Sequence, residues 1–133
     1  MCFKYTYLKQ EVKKQAMTKA DSERLLKYTE RYNALKAELQ AVGFVCVGSV
    51  QSRLTSCGKT TCRCHKEPEN QHGPYHYWTR KVRGKTVGLM LTEDELPLYQ
   101  ERIGNNRILQ RIVTQMRSLS ARALAVTTGR KAP

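Results

Sequence analysis

Leu25, Tyr28, Tyr32, Leu35, Leu39 and Val42 recur at alternating spacings of three and four residues. On a helix such a set falls on one stripe, so the pattern predicts a helix over 18–42 with an a/d seam. Thr18 followed by Asp21 supplies a capping arrangement at its start, and Gly43 is expected to close it in the left-handed conformation. Leu109, Ile112, Met116 and Leu119 repeat the spacing further on and predict a second helix over 93–120. Thr92-Glu93-Asp94-Glu95 reads as its capping box, and Pro97 places the start of the regular part within one turn. Two such seams bury each other within one chain, between two copies as a homodimer, or against a partner protein; spacing does not choose.

Between the helices the period shortens. Val45, Val47, Val50 and Leu54 mark one or two strands over 44–56. Tyr75-His76-Tyr77-Trp78-Thr79-Arg80-Lys81-Val82 is strongly β-prone, Arg83-Gly84 suits a tight turn, and 85–91 returns as a partner strand. Together these form a three-stranded antiparallel sheet, and the fold class is α+β: a long helix, a small sheet and a second long helix. The expected organisation is a basic arm over 1–17, one domain over 18–120 with a zinc and β module at 44–91, and a disordered basic tail over 121–133.

Charge changes the picture most. Lys and Arg total 24 against 11 Asp and Glu, a formal net charge of +13, which argues for a polyanionic partner. No stretch approaches the roughly 18 apolar residues of a membrane span, and the first residues lack the apolar core of a signal peptide, so a cytoplasmic protein without a membrane partner is expected. In that reducing compartment the five cysteines read as metal ligands rather than a disulfide framework. Cys2 and Cys46 stand apart, Cys46 among apolar neighbours as a buried thiol.

Cys57, Cys62 and Cys64 lie within eight positions, and all three histidines, His65, His72 and His76, follow closely. Three thiols and an imidazole are the donor set of a closed, tetrahedral structural Zn2+ site. His65 adjoins Cys64 and cannot easily turn back onto the same ion. His72 precedes Gly73-Pro74, a turn that brings the chain back over the cysteines, and is the favoured fourth ligand; His76, expected on a strand, is the alternative. Deaminase zinc sites need a His-x-Glu element and a Pro-Cys-x-x-Cys, and neither is present. Gly58-Lys59-Thr60 and Gly84-Lys85-Thr86 lack the earlier glycine and the following helix of a phosphate loop. Paired carboxylates, a nucleophile with its base and a Cys-x-x-Cys are also missing, so a binding protein is expected rather than an enzyme. Arg53, Lys59, Arg63, Arg80, Lys81, Arg83 and Lys85 fall on or beside the zinc module and make it a candidate nucleic-acid footprint, with Tyr75, Tyr77 and Trp78 able to stack bases if they face outward.

Cys57-Gly58-Lys59-x-x-Cys62-x-Cys64, His72-Gly73-Pro74-Tyr75, Arg80 and Gly84-Lys85-Thr86 together resemble an uncharacterised bacterial family known as a domain of unknown function, over roughly residues 43–119. The resemblance implies His72 as the histidine that accompanies the three cysteines. It also implies an accessory role beside phage or mobile-element genes, with DNA rather than RNA as the nucleic acid.

Overall fold

A computed structural model of the chain describes residues 17–131. The expected basic arm lies almost wholly outside them. Helix α1 (Lys19–Gln40) is followed by strands β1 (Ser49–Thr55), β2 (His72–Val82) and β3 (Lys85–Leu91) and by helix α2 (Leu96–Thr128). This is the expected α+β order. The described residues fall into two compact units, one built from the chain up to Glu38 and from Ile112 onward, the other from Leu39–Arg111. Among the described residues no helix is long and apolar enough to cross a membrane.

In the helical unit the seams are where the spacing put them. Leu35, Ile112 and Leu119 are buried, while Leu25, Tyr28, Tyr32 and Met116 are half-buried. The Thr18 hydroxyl accepts a hydrogen bond from the Asp21 N–H at 3.1 Å, which satisfies one of the first-turn donors of α1.

The ends of the helices differ from expectation. α1 stops at Gln40, and the N–H of Val42 reaches back three residues to the Leu39 carbonyl at 3.2 Å. That tighter last turn needs no left-handed residue, and Gly43 is not among the residues with positive φ. A side chain at 43 would instead meet the Asn105 amide at 3.2 Å. α2 begins at Leu96 behind a complete capping box, in which the Thr92 N–H donates to Glu95 Oε2 at 3.0 Å and the Glu95 N–H donates to Thr92 Oγ1 at 3.3 Å. It runs on to Thr128, through residues expected as tail, because Ala121, Ala123, Leu124 and Ala125 are strong helix formers. Gly129, at φ 66, follows as its left-handed stop.

The sheet is antiparallel in the order β1-β2-β3. Arg83, at φ 50, and Gly84, at φ 79, form the two-residue turn that opposes Val82 to Lys85, a pair of left-handed residues that matches the twist of a hairpin. Residues 44–47 are not strand. Phe44 is 80% exposed and Val47 is exposed too, and Cys46, expected to be buried, is half-buried with its N–H donating to the Arg102 carbonyl. One face of the sheet is turned towards α2: Trp78 meets Tyr99 at 5.1 Å between ring centres, and Leu91 is buried. Gly48, at φ 114, makes the close approach on this side possible, since a side chain there would lie 2.4 Å from the Thr79 carbonyl.

Candidate metal centre and basic sheet

Strand register builds the cysteine cluster. Thr55, at the end of β1, pairs with His72, at the start of β2, which brings His72 close to Cys57 two residues further on. The intervening loop folds back in two short steps. The Cys62 N–H donates to the Lys59 carbonyl at 3.1 Å, and a 3-10 turn over Arg63–His65 presents Cys64 inward, where it is 3% exposed. Gly73 is required at the join. With φ 117, it lies where an added Cβ would stand 2.8 Å from the Arg53 carbonyl.

The donor atoms of Cys57, Cys62, Cys64 and His72 all lie within 4.8 Å of one another. The Cys57 and Cys64 sulfurs are 3.5 Å apart, and Cys62 Sγ is 3.5 Å from His72 Nε2. A tetrahedron with ordinary zinc–sulfur and zinc–nitrogen bonds has edges of about 3.8 and 3.6 Å, so the donors fit such an ion with little adjustment. His72 is thus the histidine brought to the cysteines. His65 turns away, its Nε2 lying 2.6 Å from the Cys57 carbonyl, where it braces the loop. His76 sits on β2 with its Nδ1 2.7 Å from the Ser52 hydroxyl and its Nε2 3.4 Å from Glu93. Spacing gave no hint of this polar cluster, whose members are joined only by the register Ser52↔His76 and by the turn into α2.

The thiols are not equivalent. The backbone N–H of Cys64, then His72 and the neighbouring thiols, hold the Cys62 thiol down at about 6, and the Cys57 N–H points at Cys64 Sγ at 3.3 Å. Burial pushes the Cys64 thiol up. Cys62 is thus the thiol of the cluster that ionises most readily, while the buried Cys64 thiol would have to lose its proton for a cation to enter.

The seven basic residues do not share one surface. Side chains alternate along a strand, and contacts confirm the sides taken. Arg53 lies over the Tyr77 ring at 5.7 Å, whereas Arg80 lies over Trp78 at 4.0 Å. Arg53 and Lys81 thus belong to one face, while Arg80 and, by its pairing with Val82, Lys85 belong to the other; Arg83 occupies the hairpin turn and Lys59 and Arg63 the cysteine loop. The expectation of a single platform is corrected for Arg80 and Lys85, which lie on the face opposite Arg53 and Lys81. For Arg80 the reason is local. Its side chain is half-buried, because stacking on Trp78 draws it against the ring.

The chain belongs to the family described as a domain of unknown function, DUF6788, whose model matches residues 21–101. The match takes in most of α1, the whole sheet and all four clustered donors, and ends early in α2, whereas the resemblance in sequence set its limits at 43 and 119. No curated protein and no solved structure matches the chain.

Proposed function

We propose that this member of the DUF6788 family is a small nucleic-acid-binding protein whose sheet is held by one structural Zn2+ ion on Cys57, Cys62, Cys64 and His72. One observation carries the reading: β1, β2 and β3 contain no acidic residue, and between Leu39 and Leu91 eight cations face only two anions, Glu67 and Glu69. Among the described residues the other acidic side chains lie on α1 and around the start of α2, while Glu67 and Glu69 lie at the short turn Pro68–Asn70. A surface of that sign releases counterions when it meets a phosphate backbone.

The metal is read as structural because three thiolates and an imidazole close a tetrahedral shell and leave no position for water. The protein acts in this reading by binding and not by catalysis, as a DNA-binding accessory factor of the kind that the resemblance implies.

The test is fluorescence-polarisation binding of zinc-loaded protein to labelled DNA and RNA across a salt series. Replacing Lys81, Arg83 and Lys85 together by Ala spares Arg80, which supports Trp78. The triple variant is expected to keep its zinc while losing about one unit of salt slope for each phosphate contact removed. An unchanged slope would move the footprint elsewhere. Absent binding at physiological salt with one zinc per chain would favour a protein–protein adaptor, for which Leu26 and Leu124, both exposed on the helices, are the candidate contacts.

A further inference from the structure

The two faces of the sheet differ in what covers them. Val50, Trp78 and Leu89 share a register row on the side of Tyr99 and α2, where Val50 and Trp78 are half-buried and Leu89, on the edge strand, is exposed. On the opposite side Gln51, Tyr77 and Met90 form one row, and Arg53 and Tyr75 form the next. Tyr75 is 39% and Met90 59% exposed, and Gln51, Arg53 and Lys81 are exposed as well. Arg53 is held in place by donating to Gln51 Oε1 at 2.6 Å while it lies over the Tyr77 ring. This side of the sheet therefore presents two tyrosine rings two residues apart, Tyr75 exposed and Tyr77 half-buried beside the Arg53 guanidinium, together with a lysine and no carboxylate.

We infer that this open face binds single-stranded nucleic acid, with two bases stacking on Tyr75 and Tyr77 and phosphates meeting Arg53 and Lys81. The inference rests on the nucleic-acid reading above and narrows it. Spacing argues against stacked duplex bases as the occupants of both rings. Residues two apart on a strand are about 6.6 Å apart, whereas successive bases of a duplex strand stack at about 3.4 Å. Neighbouring bases can therefore engage both rings only if they are unstacked from each other, which an extended single strand allows and a paired duplex does not. Stacking needs a ring face and no base identity, so DNA and RNA strands are both accepted, with little sequence preference. Trp78, the only tryptophan, is on the covered side and takes no part.

The experiment compares zinc-loaded protein, by fluorescence polarisation, on labelled oligothymidylate and oligouridylate of about twelve nucleotides, a length within the usual single-strand site sizes, and on a duplex of equal length. Tyr75→Leu and Tyr77→Leu remove the rings but keep apolar bulk, and the corresponding Phe variants keep them. The single strands are expected to bind more tightly than the duplex. Each Leu variant is expected to lose about tenfold in affinity at unchanged zinc content, and each Phe variant to retain it. Duplex binding as tight as single-strand binding, or Leu variants that bind like the parent, would overturn the inference while leaving the nucleic-acid reading standing. Affinity lost equally in the Leu and Phe variants would also overturn it, since the ring would then not be the contact. No binding to any of the three probes at low salt would overturn both.

Discussion

The helical unit and the sheet unit differ in how their buried residues are arranged. In the helical unit Leu35, Ile112 and Leu119 are buried along two regular seams, and the stabilising contacts are those of ordinary apolar packing. The sheet unit is larger, yet its buried apolar residues are Cys64, Leu91 and Ile103, and one of those belongs to the cysteine–histidine cluster. Much of its apolar surface, from Phe44 and Val47 to Leu89 and Met90, is exposed. A three-stranded sheet with so little core is marginal. A metal ion on the four clustered donors would tie the end of β1, the loop and the start of β2 at one point, and so do for the sheet what burial does for the helices.

The largest expected effect follows from removing that tie. Cys62→Ser, or chelation of the metal, should cost the sheet unit on the order of 10 kcal/mol, which exceeds what its few buried side chains supply. Hydrogen exchange should then show residues 49–91 unprotected while amides in 19–38 and 112–128 keep their protection. A sheet that survives without zinc would show that the two units are not held differently after all. On the helical side Ile112, with no exposed surface, is the corresponding residue. Ile112→Ala should lower stability to denaturant by about 3 kcal/mol at unchanged zinc stoichiometry. Loss of zinc in that variant would mean that the seam also supports the metal site.

The same contrast decides what could be read from the sequence. Leu25 to Leu39 and Leu109 to Leu119 announce themselves because burial imposes a period, and the Thr92 box because two hydrogen bonds require Thr and Glu three apart. Cys57, Cys62, Cys64 and His72 were legible through donor chemistry, with the Gly73-Pro74 turn favouring His72. What was not legible depends on register and on neighbours far along the chain. The sides taken by Arg80 and Lys81 follow from which face of β2 meets Tyr99, and the Ser52, His76 and Glu93 cluster follows from pairing across strands. The helical stretch beyond Ala121 carries a basic, small-residue composition that resembles a tail, although alanine is the best helix former.

The smallest expected effect tests the join between the two kinds of order in the sheet unit, strand pairing and donor geometry. Gly73 connects them: it lies beside Arg53 on β1 and directly follows His72. Its φ of 117 disfavours any side chain, and an added Cβ would meet the Arg53 backbone carbonyl at 2.8 Å, an atom that cannot swing aside. Gly73→Ala should therefore shift the start of β2 at a strain of about 2 kcal/mol. If the donors must converge for the metal to bind, that strain appears in metal affinity, as roughly a thirtyfold weaker zinc complex in a chelator competition. The hairpin from Trp78 to Leu89, lying further along the sheet, should keep its exchange protection at saturating zinc. A variant that binds zinc as tightly as the parent would mean that the loop carrying Cys62 and Cys64 absorbs the shift, and that the sheet does not set the position of His72.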